Sequence, residues 1–197
     1  STPKPSSAAS DVYKRQCKYN AERHSWILWF RKFVGWKDSR FCIMKCKIIS
    51  ISHKLSDWEK QALQFYSKQI PLNFNISFAE VKPSASKNLD TESILETERL
   101  AIVKQIDTDS HVILWDRTGK KINSRGFAAL LQDKIDHGVN INFIIGGAHG
   151  VSQKLLTTSQ LILSASELTF PHRLFKIFLM EQIYRASTIH RNHPYHN

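Results

Sequence analysis

Cysteine is scarce in this chain, and the three present, Cys17, Cys42 and Cys46, form no CxxC pair. So few unpatterned thiols exclude a disulfide framework and a four-cysteine zinc site, and a reducing, cytoplasmic setting is the simplest account. Long apolar runs are also missing. None approaches the roughly 18 uninterrupted residues of a membrane-spanning helix, so no membrane partner is expected. Acidic residues number 17 against 28 Lys and Arg, leaving a formal net charge of +11. That excess points to a polyanionic partner. Catalytic signatures are lacking too: no GxSxG elbow for a nucleophilic serine, no GxGxxG, and no GK[ST] after the one glycine cluster.

What remains is enough for a core. Hydrophobic residues make up 42% of 197, which fits one globular domain with a short appendage. The charge is uneven: residues 1–43 carry nine basic and three acidic side chains, and the rest is only mildly basic. Ser1–Ser10 is rich in Ser, Pro and Ala, and the aromatic run Trp26–Phe30 gives way to Arg31-Lys32. This stretch admits two readings, a basic aromatic helix touching membrane or RNA, or a non-native or disordered extension. Because Met44 stands immediately before a clean strand pattern, the expectation is that 1–43 is an extension and 44–197 the functional domain.

From Met44 the pattern alternates. Strands are expected at Lys45–Ile51, Phe74–Val81, His111–Trp115, Ile141–Ile145 and Leu161–Ser164. Helices are expected at Trp58–Ile70 (capped by Ser56 or Asp57), from Asp90 to about Ile106, from a Ser124 cap to about His137, over Ser152–Ser159, and from Pro171 to about Ile189. Asp116–Lys120 reads as a turn. The helix after Asp90 draws its apolar stripe from Ile94, Leu95, Leu100, Ile102 and Val103. Strict alternation implies an α/β fold, a mainly parallel sheet with helices on both faces. Ligands in such sheets bind at the carboxyl ends of the strands, which singles out the loops after Trp115, Ile145 and Ser164.

Taken alone, those loops are weakly informative. Gly146-Gly147-Ala148-His149-Gly150 lets a ligand approach the backbone but is as often a tight turn. Cys46 sits inside a strand with no identifiable base, and the acids fall mostly on helix positions expected to face solvent, which argues against hydrolysis by paired carboxylates. His190, His193 and His196 suggest a metal site, but Pro194 breaks the helix between them, so no metal is expected. A solvated tail and a tail folded into a pocket are both open for these rings.

Four motifs then occur in order: Phe143–Gly150 (FIIGGAHG), Ser166–His172 (SELTFPH), Glu181–Ala186 (EQIYRA) and Asn192–His196 (NHPYH). Together, over residues 44–197, they resemble the RlmH family, the ribosomal RNA large-subunit pseudouridine N3-methyltransferases of the SPOUT superfamily. The resemblance implies a C-terminal trefoil knot, a homodimer, S-adenosylmethionine as cofactor, and 23S ribosomal RNA in the assembled ribosome as substrate. Carried over residue by residue, it puts the cofactor contacts on Trp115, Gly147 and the run Ser166, Glu167, Leu168, Thr169, Phe170 and Pro171. It puts the catalytic work on Arg185, Tyr195 and His196. Arg185 would pair with phosphate or a developing base anion, Tyr195 would stack on the flipped base, and His196 would relay the N3 proton. An ordinary Arg185–Glu181 helix pair, and packing of Tyr195 and His196 at a dimer seam, are the plain alternatives.

The chain departs from the family pattern at His149, at Trp115 (an aliphatic position) and at Lys176 (commonly Arg). Two rival functions are a non-catalytic RNA-binding protein on the same fold, marked by failure to bind S-adenosylmethionine, and a small nucleotide- or metal-dependent enzyme, marked by bound metal or stabilisation by nucleotide.

Overall fold

The computed structural model describes residues 43–71, 73–84 and 90–190, all within the second of the chain's two compact units, residues 42–197. Five strands and five helices alternate: β1 (Met44–Ile51), α1 (Asp57–Ser67), β2 (Phe74–Val81), α2 (Thr91–Val103), β3 (Ser110–Lys121), α3 (Ser124–Asp136), β4 (Asn140–Ile145), α4 (Gln153–Thr158), β5 (Leu161–Ser164) and α5 (His172–His190). All strand pairs are parallel, in the order β2-β1-β4-β3-β5. The expected α/β class with a parallel sheet is what forms.

Alternation along each strand divides the core in two. Met44, Cys46 and Ile48 of β1 face one way, joined by Ile113, Trp115 and Phe143, and are covered by α1, α3 and α5 through Leu63, Phe127, Leu131, Leu179 and Ile183. Ile49, Ile51, Leu114 and Ile144 face the other way and are covered by Ile102 of α2 and Leu155 of α4. Helices on both faces explain why the strands read as near-continuous apolar runs rather than alternating ones.

Three expectations are corrected. Asp116–Lys120 is not a free turn, because β3 continues through it. Leu163 of β5 is registered with both Trp115 and Lys120, so Asp116–Gly119 bulge from a strand that then resumes. A Cβ on Gly119 would lie 2.6 Å from the Leu163 carbonyl carbon, and glycine is what lets the bulge lie flush on β5. Second, α3 is capped by Asn123, whose Oδ1 accepts the Gly126 N–H at 2.8 Å. The Ser124 hydroxyl is used elsewhere, donating to Gln182 of α5 at 2.8 Å. Third, Leu100 and Val103 are exposed, and the buried positions of α2 are Glu98 and Ile102. Not all acids face solvent, since Glu59 of α1 is buried as well.

Other signals match. Gly138, at φ 66°, closes α3 as expected, and Ser152 caps α4, its Oγ accepting the Leu155 N–H at 3.3 Å. At the start of α1 the Glu59 carboxylate accepts from the Ser56 N–H (2.8 Å) and hydroxyl (2.6 Å).

Candidate active site

Adjacent β3 and β4 send their following helices to opposite faces, α3 onto the first and α4 onto the second. Their carboxyl ends therefore part, and such a switch point is where open α/β sheets take ligands. A cavity of about 450 Å³ opens there, a size suited to a cofactor. From β3 come Trp115, Asp116 and Arg117. From β4 and its loop come Ile145 and Gly146–Gly150, and from β5 and its loop Leu163–Ser166 and Leu168–Phe170. His172 and Phe175 of α5 close it.

The glycine loop is a tight turn in which Gly147 and Gly150 exchange backbone hydrogen bonds (3.3 and 3.1 Å). Gly150 sits at φ 82°, a conformation glycine adopts freely. Gly147 is needed for space, because a Cβ there would meet Ile51 Cγ2 at 3.1 Å and Glu98 Oε2 at 3.4 Å. The opposite wall is apolar, with Trp115 edge-on to Phe127 and Phe175 (5.6 and 5.4 Å), and Phe170 stacked on Phe178 (5.6 Å).

Polar side chains on the cavity lining include Asp116, Arg117, His149, Ser164, Ser166, Thr169 and His172. The Trp115 indole N–H is buried and has no acceptor among the described residues. Glu98 lies behind Gly147. One carboxylate oxygen accepts the Ser84 N–H at 3.2 Å, and the other has no hydrogen-bond partner among the described residues. Burial holds the His172 imidazole below the usual histidine range, against the opposing pull of the Glu98 charge. Asp116 is turned into its own bulge, accepting from the Thr118 N–H (2.8 Å) and hydroxyl (2.6 Å).

Of the expected cofactor contacts, Trp115, Gly147, Ser166, Leu168, Thr169 and Phe170 line this one cavity. Glu167 instead pairs with Lys121, and Pro171 is exposed at the start of α5 without lining it. Arg185 is paired with Glu181 at 2.7 and 2.9 Å, the plain alternative foreseen for it. Tyr195 and His196 lie outside the described residues, as do His193, Cys17, Cys42 and the whole of 1–42. Cys46 is completely buried and burial pushes its thiol up to about 12, which suits a packing role and not a nucleophile. Sequence reasoning missed His172 and Arg117 as pocket residues. The signal for His172 was its place at the mouth of a helix following a strand-end loop.

A family model described as "Predicted SPOUT methyltransferase" matches residues 44–196. Relatives named Ribosomal RNA large subunit methyltransferase H include one from Paraburkholderia phytofirmans, 34% identical over 154 residues, spanning 78% of this chain and 99% of the relative. Others come from Nitrosomonas eutropha (33% over 153 residues) and Polynucleobacter asymbioticus (35% over 153 residues), each again spanning 78% of this chain and 99% of the relative. With a matching model over most of its length and relatives covered almost end to end, the chain belongs to the SPOUT methyltransferase family.

Proposed function

We propose that the chain transfers a methyl group from S-adenosylmethionine to N3 of a pseudouridine in 23S ribosomal RNA, acting in the cytoplasm on the assembled ribosome. The observation that carries this reading is the convergence of Trp115, Gly147, Ser166, Leu168, Thr169 and Phe170, from three strand ends, on one cavity. The names of the relatives support the substrate class. A homodimer, a trefoil knot through the C-terminal part, and sufficiency of residues 44–197 belong to the same reading.

The cavity fits S-adenosylmethionine on its own chemistry. This cofactor carries no phosphate, and neither a GK[ST] nor a GxGxxG loop is present. The aromatic wall around Trp115 suits an adenine ring, the buried Trp115 N–H has no acceptor among the described residues, and Gly146 and Gly147 put no side chain between a ligand and the backbone of their loop. When bound, S-adenosylmethionine supplies an electrophilic methyl carbon. The protein's part is alignment, since methyl transfer is an in-line displacement whose barrier falls mainly through proximity. As the N3–carbon bond forms, the N3 proton leaves. In this reading His196 accepts it, Tyr195 holds the base, and the Arg185 guanidinium stabilises the developing negative charge.

The test is transfer of labelled methyl to ribosomes lacking the modification, using full-length chain and residues 44–197 in parallel, with free ribosomal RNA for comparison. Label at one large-subunit pseudouridine, in ribosomes and not in free RNA, is expected from both forms. A folded protein that binds the cofactor but labels nothing would refute the substrate assignment.

A further inference from the structure

Most cations of the described residues already have an acid. Lys47 pairs with Asp107, Lys60 with Asp57, Arg99 and Lys154 with Glu96, Arg173 with Glu59, Lys176 with Glu80, and Arg185 with Glu181. The segment that leaves the cavity along β3 is different. Arg117, Lys120 and Arg125 are exposed and make no ion pair among the described residues. Other exposed cations without an ion pair among the described residues are Lys45 in β1, Lys54 and Lys82 beyond the ends of β1 and β2, and Lys68 and Lys104 just after α1 and α2.

The three are held in place. Asp116, the one acid in the segment, is occupied by Thr118. Gly119 allows the bulge to press on the β5 backbone. Lys120 and Lys121 are registered with Leu163 and Ser164, which line the cavity, and the Ile122 N–H bonds the Ser164 carbonyl at 3.2 Å. Lys121 is tied to Glu167 in the loop of the opposite wall. Arg117 itself lines the cavity, and Arg125 follows on the first turn of α3. Along the chain, a row of cations thus begins with Arg117 at the cavity, continues with Lys120 where β3 is registered with β5, and ends with Arg125 in the first turn of α3. Such a row costs self-repulsion unless a polyanion lies along it.

We infer that Arg117, Lys120 and Arg125 form a phosphate track that seats the RNA strand flanking the target base, so that the base enters the cavity between the β3 bulge and the glycine loop. This rests on the proposed function for the identity of the polyanion, but the surface is defined by its own geometry. Phosphate contacts fix register without reading sequence, which suits an enzyme whose target is set by the fold of a ribosome.

The experiment is co-sedimentation of full-length protein with ribosomes across a salt series, which scores binding whether or not methyl is transferred. K120Q/R125Q is expected to bind more weakly and to flatten the dependence of log affinity on log salt by about 0.7–0.9 for each contact removed. K120R/R125K should restore the wild-type slope, and K68Q/K104Q, with the same loss of net charge, should leave it unchanged. A wild-type slope in K120Q/R125Q, or an equal fall in K68Q/K104Q, would overturn the track. A flattened slope in a protein that transfers no methyl would keep the track and refute the function.

Discussion

Glu59 and Glu98 are both buried helix carboxylates, one on each face of the sheet, and the protein treats them differently. Glu59, on the face covered by α1, α3 and α5, accepts from Ser56 twice and is paired with Arg173, which together hold its carboxyl down at about 2. Glu98, on the face covered by α2 and α4, has one oxygen satisfied by Ser84 and the other, near Gly147, without a partner among the described residues. The first face is thick and aromatic, with Trp115, Phe127, Phe143 and Phe175 in contact. The second is thin and ends in the glycine loop. Aromatic packing is concentrated on one side, and a half-satisfied carboxylate lies beside the cavity on the other. The cavity opens where the two meet.

The largest effect that would test this division is on the thick face. Phe127 is buried against Trp115 and Phe143, and F127A should cost about 3–5 kcal/mol in denaturant unfolding. A loss below about 1 kcal/mol would remove the claim that this face carries the fold. Next comes the satisfied carboxylate. E59A should cost about 2–3 kcal/mol, less than a wholly buried pair because Arg173 is half exposed. The folded-state value lies below the unfolded one, so the contribution of Glu59 is complete above about pH 4.5. It is lost as pH falls toward about 2. Wild type should therefore lose stability across that window more steeply than E59A does.

The smallest effect sharpens the contrast. E98M, which replaces a half-satisfied carboxylate with an apolar chain of similar length, should change stability by less than about 1 kcal/mol. An E98M loss as large as that of E59A would erase the distinction between the faces.

Much of the architecture could be read from the chain before any coordinates. β2 and β5 form over the residues expected, and Gly138, Ser56 and Ser152 mark helix ends as their chemistry suggests. β3 was underestimated because its outer half is polar and bulged, and it is strand only through pairing with β5, a contact no local pattern encodes. Local chemistry does not separate Asn123 from Ser124 as the cap, since both are good caps and the Ser124 hydroxyl is drawn to Gln182, 58 residues away. The burial of Glu59 and Glu98 was illegible for the same reason, since a carboxylate looks like a surface residue until Arg173 or Ser84 is brought to it. At the site, strand ends point to the three loops, and most of the residues that the family resemblance names for the cofactor line the one cavity. Glu167 was drawn away to Lys121, a tertiary pairing that a motif does not report.

The most direct test of the central claim, that the cavity at the ends of β3, β4 and β5 is the methyl-transfer site, is to assay wild type and G147V side by side. Each would be given labelled S-adenosylmethionine and unmodified ribosomes, with cofactor affinity measured on the same samples. A side chain at Gly147 would crowd Ile51 and stand against Glu98 in the loop that lines the cavity. The account predicts label in one large-subunit pseudouridine with wild type, and loss of both cofactor binding and label in a still-folded G147V. Equal labelling and equal affinity in the two proteins would contradict it.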